Sequence, residues 1–242
     1  MFGGNGMKAM LLRVGIDTGS GGTLGPIFKD GSFEYIPIPE GYLSEEDKTY
    51  GNTIGRKGLP LSTYVFKSLK DVGMHFDPEF KTYTYGDPTS KRSSLLRLQK
   101  NDLLVFYAGL KPYNQKKEEA ALYIIGYFTV KEVIDFNLLS TEEREKYCKR
   151  CKNNAHIKRM EILGEEHLDD LVIIMGQKNG SKLLDKAIKI SEKGSDSIGR
   201  NLHVVSKKMR PIFGFEGSIQ RSRPREVKEE YVDKLKNLLF VE

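Results

Sequence analysis

The chain has 242 residues, of which 38% are hydrophobic and 30% charged, values typical of a folded globular protein and not of a disordered one. No stretch approaches the roughly 20 apolar residues that a membrane-spanning helix requires, and two cysteines are too few for a disulfide framework. We therefore predict a cytoplasmic protein with no membrane partner, folded as one integrated domain over residues 1–242. Residues 1–6 are expected to be a disordered or vector-derived lead. The net charge of +6 is compatible with a polyanionic partner.

The first half of the chain predicts short elements separated by glycine-rich loops. Residues 10–14 predict a strand, and residues 26–28, a turn at 29–32 and a strand at 33–38 predict a hairpin. Apolar residues at helical spacing between Pro60 and Gly73 predict a short amphipathic helix. Residues 75–92 predict a long polar and aromatic loop, a length that favours a functional role.

The second half begins with the clearest sheet signal. Residues 102–107 and 121–130 predict two antiparallel strands joined by an exposed connection at 111–119. Ser140 and Glu143 form a capping-box pattern for a helix that runs to about Arg150. A strand at 171–175, a loop at 176–181, a helix through 183–188 and a final helix at 224–239 complete the prediction.

Two glycine-rich loops are candidates for anion binding. The 17–22 loop offers backbone N–H groups and the Ser20 hydroxyl, and the 176–181 loop would present the N-terminus of a helix at Ser181. Neither matches a dinucleotide fingerprint or a Walker A loop. A flexible connection and an ordinary helix cap remain the alternative interpretations.

His75 and Asp77 are separated by one residue, so in an extended segment their side chains point to the same side. Such a pair can act as base and orienting acid or bind a metal, and turn-forming Asp-Pro pairs with a hydrogen-bonded histidine are the alternative. Cys148 and Cys151, with His156 and His167 downstream, resemble a zinc set only superficially, because a second tight pair is missing. We predict structural thiols, no metal and no cofactor.

Basic residues cluster beside aromatic and glycine-rich segments. This pattern is equally compatible with contact to a phosphate backbone and with a solvated basic surface. The residues expected to contact nucleic acid are Lys91, Arg92, Lys207, Lys208, Arg210, Arg221, Arg223 and Arg225.

Residues 102–107 and 122–130 resemble the core hairpin of PUA-like barrels, including the EVE and ASCH branches. In those families an apolar strand ending in an aromatic residue and a later glycine-containing strand build a pocket for a nucleobase, often a modified one. The resemblance implies a mixed α+β fold with a PUA-like β-barrel core and peripheral helices.

Segments 13–17, 75–78 and 181–187 are similar to the third class of nucleotide modification associated domains, families linked to modified nucleic acid. Residues 13–17 read Arg-Val-Gly-Ile-Asp where the family pattern is Arg-Lys-Gly-Phe-Asp. The resemblance implies a site at Arg13, Asp17, Gly21, Gly22, His75 and Asp77, with Asp17, His75 and Asp77 as candidates for proton transfer. With the loops and aromatic residues above, the residues expected to contact a nucleotide are Arg13, Ser20, Gly21, Gly22, Tyr85, Asp87, Tyr107, Gly180 and Ser181.

The leading hypothesis is a protein that binds a modified base or nucleotide, either free or within DNA or RNA. If the protein is an enzyme, it would also modify or process that base or nucleotide. A small-molecule nucleotide or phosphosugar enzyme, with both glycine-rich loops on one anionic ligand, is the second hypothesis. A protein-interaction module without a small-molecule site is the third.

Overall fold

The computed structural model describes residues 6–115, 118–220 and 223–240, which form eleven strands and five α-helices. The strands are β1 (Ala9–Arg13), β2 (Gly25–Ile27), β3 (Ile38–Pro39), β4 (Met74–His75), β5 (Thr84–Asp87), β6 (Leu103–Pro112), β7 (Ala121–Asp135), β8 (Val172–Lys189), β9 (Ser191–Ser195), β10 (Asn201–Val205) and β11 (Arg225–Val227). The helices are α1 (Arg92–Leu95), α2 (Thr141–Arg150), α3 (Ala155–Leu163), α4 (Arg210–Phe213) and α5 (Glu229–Leu239).

One seven-stranded sheet organises the molecule, in the order β11-β1-β6-β7-β8-β5 with β2 also on β6. It curls into a half-barrel, so the mixed α+β prediction is confirmed. The long antiparallel pair β6 and β7 lies at its centre, with Leu103 opposite Thr129, as the sequence predicted. β1 and β2 pair in parallel with successive parts of β6. The PUA-like barrel and the single integrated domain stay predictions.

An aromatic cluster packs at the centre of the sheet. Phe106 and Phe128, buried on β6 and β7, lie with ring centroids 4.7 Å apart, and Phe80 packs edge-on against both. Tyr85 of β5 contacts the Phe106 ring at 5.7 Å between centroids. This ring contact packs β5 against the centre of the sheet. The hydroxyl of Tyr85 donates to Asp87, a residue of the candidate site described below.

The helix predicted over 183–188 is wrong, because residues 172–189 form the single strand β8. β8 pairs with β7 along its length, and the register shifts at three places. In a regular strand, side chains alternate between the two faces of the sheet, and each bulge shifts this alternation by one residue. The apolar pairs 183–184 and 187–188 therefore lie four residues apart, the spacing typical of an amphipathic helix.

Other predictions were met in part. The capping box of Ser140 and Glu143 starts α2, as predicted. The helix predicted between Pro60 and Gly73 is instead two 3₁₀ turns, Leu61–Tyr64 and Lys67–Leu69, although Leu61 and Tyr64 are buried as expected. The 29–32 turn forms, but only one isolated bridge joins its two sides, and residues 33–37 are not a sheet strand. The last predicted helix divides into β11 and α5.

The predicted lead at residues 1–6 lies outside the described residues except for Gly6. Among the described helices, none has both the length and the apolar character that crossing a membrane requires.

Phe106→Ala should destabilise the protein by about 3–5 kcal/mol, because it removes a fully buried ring contacted by three other aromatic side chains. Urea unfolding would measure the loss. Leu138→Ala is the control, since Leu138 is 82% exposed and its truncation should change the free energy of unfolding by less than about 0.5 kcal/mol. Equal losses in both variants would contradict the assigned core.

Candidate functional site

A cavity of about 640 Å³ collects polar side chains from distant parts of the chain, and we call it the polar cavity. It lies among the segment after β1, the residues around β4, the end of β5 and helix α3. Its polar and aromatic lining residues are Arg13, Asp17, Ser20, Tyr42, His75, Asp77, Tyr85, Asp87, Thr89, Lys91, His156, Arg159 and Gln220.

His75 is buried and is oriented by a charged partner. Its Nδ1 lies 2.9 Å from Glu40 Oε2, and Arg159 Nε donates to Glu40 Oε1 at 2.8 Å. Burial acts to raise the pKa of Glu40, but the hydrogen bonds from His75 and Arg159 outweigh it and lower that pKa to about 2. Burial lowers the pKa of His75. A neutral ring that donates from Nδ1 to the Glu40 carboxylate leaves the lone pair of His75 on Nε2.

Asp77 connects β5 to α3. Its Oδ1 accepts a hydrogen bond from the Gly86 N–H at 2.8 Å and a longer one, at 3.4 Å, from the amide of Asn154. Asn154 is fully buried and caps α3 by accepting from the N–H of His156. Asp77 Oδ2 then lies 3.5 Å from His156 Nε2.

Glycine at position 86 permits this close approach. A Cβ there would lie 2.9 Å from the His156 ring and 3.1 Å from the Asn154 side-chain oxygen. Any larger residue would therefore push α3 away from β5 and separate His156 from Asp77.

Arg13 and Asp17 form the opposite side of the polar cavity. Arg13 Nη2 lies 3.7 Å from Asp17 Oδ2, a loose contact, whereas Asp17 Oδ1 accepts from the N–H groups of Gly19 and Ser20 at 2.8 Å. Burial acts to raise the pKa of Asp17, but hydrogen bonds from Ser20 and Gly19 and the charge of Arg13 lower it overall. This arrangement favours a positioning role for Asp17.

The buried Asp87 forms an ion pair with the partly exposed Lys91 at the cavity wall, 3.2 Å apart. The hydroxyl of Tyr85 donates to Asp87 Oδ2 at 3.0 Å, and the Thr89 N–H donates to Oδ1 at 2.7 Å. Burial acts to raise the pKa of Asp87, but the Lys91 ammonium and the Thr89 hydrogen bonds outweigh it, so the pKa lies below its ordinary value.

The chain was compared with known protein families, curated proteins and solved structures. Residues 8–228 match the family described as nucleotide modification associated domain 3. The chain belongs to this family. Its description associates it with nucleotide modification. No curated protein and no solved structure matches the chain, and the PUA-like hairpin is not confirmed.

In this nucleotide modification associated domain, three N–H groups of the 17–22 loop already donate to Asp17. The N–H groups of Gly19 and Ser20 donate to Asp17 Oδ1, and that of Gly21 donates to the Asp17 carbonyl. Gly21 is required for packing, since a Cβ there would lie 2.4 Å from Ile16. Gly21 and Gly22 do not line the polar cavity.

Three further residues predicted to contact a nucleotide lie elsewhere. Gly180 and Ser181 are inside β8 and not at a helix N-terminus, so the anion site predicted for the 176–181 loop is wrong in its geometry. The buried Ser181 hydroxyl finds no hydrogen-bond partner among the described residues. Tyr107 is fully buried and donates to the carbonyl of Ile219 at 2.9 Å, which leaves no ring face for a base.

Four of the seven predicted nucleic-acid contacts that the structure describes have internal partners, among them Lys91 with Asp87. Arg92 pairs with Asp135 at 2.6 Å, Arg210 with Glu216 at 3.2 Å, and the Arg225 guanidinium lies over the Phe215 ring. The exposed members of the set are Lys207, Lys208 and Arg223. Arg221 lies outside the described residues.

Five polar or aromatic cavity residues were not predicted to belong to this site: Tyr42, Thr89, His156, Arg159 and Gln220. His156 entered the sequence analysis only in the zinc pattern with Cys148 and Cys151, which was set aside. His156 and Arg159 are three residues apart on α3 and therefore share a face. That spacing, behind the capping residue Asn154, was the available signal. Tyr42 is 60% exposed at the cavity and packs over Arg159 at 4.6 Å, but its sequence neighbourhood gives no indication of this position.

The two cysteines are free and buried. Cys148 and Cys151 are buried in an apolar cluster, and burial raises their pKa values to about 11 and about 12. Neither joins a metal-ligand group within the part of the chain that the structure describes.

Asp87→Asn should lower stability by about 1–3 kcal/mol at pH 7, because it removes the anion that Lys91 and Tyr85 contact inside the protein. The folded-state pKa of Asp87 is lowered, so its stabilisation is fully present above the unfolded pKa of about 3.9 and is lost as the pH falls through the folded value. The difference in melting temperature between wild type and variant should therefore shrink below about pH 4. Asp71→Asn, at an exposed site, is the control. A difference independent of pH would contradict the assignment.

Proposed function

We propose that the polar cavity binds a base or nucleotide, free or within DNA or RNA, and that the protein acts in the modification or processing of that nucleotide. One observation carries the proposal. A loosely held cation, an exposed aromatic ring and a buried histidine–aspartate pair, from segments far apart in the chain, line a single cavity in a member of a nucleotide modification family.

Arg13 is the residue best suited to contact a phosphate. Of the three cationic residues at the cavity, Lys91 lies 3.2 Å from Asp87 and Arg159 lies 2.7 Å from Glu40, whereas Arg13 lies 3.7 Å from its nearest carboxylate. An incoming phosphate can therefore compete for Arg13 at a lower cost.

Tyr42 is the residue best suited to stack on a base. Its ring is 60% exposed at the cavity, and the Arg159 guanidinium lies over one of its faces, 4.6 Å from the ring centre. Aromatic rings fixed in this way bind bases of any identity through their π faces. Tyr42 thus takes the role that Tyr107 was predicted to have.

His75 and Asp77 are the groups proposed to exchange protons with the ligand if the domain is an enzyme. His75 is neutral because burial lowers its pKa, and a neutral imidazole can accept a proton on Nε2. Loss of turnover without loss of affinity in His75 and Asp77 variants would identify an enzyme, and loss of affinity alone would identify a reader.

A polynucleotide would reach the cavity past the basic C-terminal segment. Gln220 lines the cavity, and Lys207, Lys208 and Arg223 are exposed in the same part of the sequence. The alternative of a phosphosugar enzyme required both glycine-rich loops at one ligand, and residues 176–181 do not line the cavity that Asp17 and Ser20 line.

Tyr42→Ala should weaken nucleotide binding roughly tenfold to hundredfold, because the base loses its stacking surface. Isothermal titration with the common ribo- and deoxyribonucleoside monophosphates would measure this. Leu43→Ala is the matched control: Leu43 is the neighbouring residue, is 68% exposed and does not line the cavity. Equal binding by wild type and Tyr42→Ala would contradict the stacking role.

Arg13→Ala should lower affinity for a nucleoside monophosphate roughly tenfold and leave affinity for the matching nucleoside unchanged, since only the former carries the anion. Lys111→Ala, at an exposed position on β6, removes the same charge away from the cavity. If Arg13→Ala weakened nucleoside and nucleotide equally, Arg13 would not be the phosphate contact.

A single-stranded oligonucleotide should bind with a salt dependence that a mononucleotide lacks. Lys207→Ala with Lys208→Ala should reduce the slope of log affinity against log salt by about one for each lysine that contacts a phosphate. An unchanged slope would remove this segment from the binding surface and leave the free nucleotide as the ligand.

A further inference from the structure

We propose that His75, Asp77 and His156 bind one divalent transition-metal ion in the polar cavity. No cofactor and no metal were predicted from the sequence. A bound metal would occupy His75 Nε2 and Asp77 Oδ2, so the proton exchange proposed above for these residues applies only to the metal-free cavity. The proposal rests on the proposed function only in treating this cavity as the functional site, because metal binding itself requires no nucleotide.

The three side chains meet the distance requirement for a shared ion. One ligand atom from each residue lies within 4.8 Å of the others, and within the described ranges this is the only such group of three or more histidine, cysteine or acidic residues. The 3.5 Å between Asp77 Oδ2 and His156 Nε2 is close to the separation of about 3.4 Å between two ligands that each lie about 2.1 Å from a tetrahedral metal.

A hydrogen bond between Asp77 and His156 explains this arrangement poorly. At 3.5 Å the contact exceeds the usual N–H···O range of about 2.7–3.2 Å, although the side chains of His156 and Asp77 are only 9% and 6% exposed. The imidazoles of His75 and His156 also lie edge to face with centroids 4.8 Å apart. A metal ion bound by the three side chains would give Asp77 Oδ2 and His156 Nε2 a shared partner, which the 3.5 Å contact between them does not provide.

Each ligand atom is oriented by a second residue, as in known metal sites. The Glu40 carboxylate occupies Nδ1 of His75, which leaves Nε2 for the metal. Gly86 and Asn154 occupy Oδ1 of Asp77, which leaves Oδ2. The Asn154 cap and the tight approach at Gly86 hold the ring of His156 in place.

The donor set defines the class of metal. Two imidazoles and one carboxylate suit Zn²⁺ and non-haem Fe²⁺, whereas Mg²⁺ and Ca²⁺ prefer oxygen ligands. Three protein ligands leave coordination positions for a water or a ligand oxygen, and the cavity shared with Arg13 and Tyr42 gives room for one.

The first experiment uses the wild-type protein and metal alone. Zn²⁺ titrated into protein with isotope-labelled histidine should shift the imidazole resonances of two of the four histidines, His75 and His156, at one equivalent, and leave those of His167 and His203 unchanged. Co²⁺ should add visible absorption without a sulfur-to-metal charge-transfer band. Mg²⁺ should produce neither change.

Variants assign the ligands. His156→Ala and Asp77→Asn should each weaken Zn²⁺ and Co²⁺ binding by more than roughly hundredfold, and Glu40→Gln should weaken it by about 10–100-fold by releasing the orientation of His75. His167→Ala should bind as wild type does, because His167 does not line the cavity. Asp77→Asn keeps an oxygen that can accept from Gly86, so it tests the ligand even if His156→Ala fails to fold.

The proposal would be overturned if no histidine resonance responded, if His156→Ala bound metal as tightly as wild type, or if the Co²⁺ spectrum showed thiolate ligation by Cys148 or Cys151. Nucleotide titrations in the presence of a chelator separate the two proposals. Metal binding without nucleotide binding would contradict only the proposed function. Nucleotide binding without metal binding would contradict only the proposed metal site.

Discussion

The Asp77 carboxylate is the connection on which the site depends. One of its oxygens is held by the Gly86 N–H of β5 and the Asn154 amide at the start of α3, and the other faces His156. β5 belongs to the edge of the main sheet, whereas α3 comes from a separate part of the chain. Without this carboxylate the wall of the polar cavity would lose the group that joins them.

Glu40 balances the charge on the other side of His75. It accepts hydrogen bonds from His75 and Arg159, so a cation on α3 and an imidazole on β4 share one anion. Lys91 is neutralised by Asp87 in the same way. Two of the three cations at the cavity are therefore already paired with carboxylates. If the cavity binds an anion, its selectivity for that anion would depend on the position of the loosely paired Arg13 and on the shape of the cavity around it.

Local patterns were sufficient for part of the fold. β6, β7 and α2 were predictable because alternation, apolar content and a capping box act over a few neighbouring residues. β8 was not, because its bulges follow from pairing with β7. His75 and Asp77 lie two positions apart and were grouped from the sequence, but Asn154 and Asp77 are separated by 77 positions, and only the folded chain brings His156 beside them.

The burial of so many charged groups argues that this region is kept for function. Placing Glu40, Arg159, Asp77 and His75 away from water costs desolvation energy that apolar residues of similar size would avoid. The fold does not need these groups for its hydrophobic core, which the aromatic cluster on β6 and β7 already provides. Groups that lower stability in this way persist where they bind or react with something. That reasoning separates the polar cavity from the other depressions among the described residues, because it is lined by the group of His75, Asp77 and His156 and by the exposed ring of Tyr42.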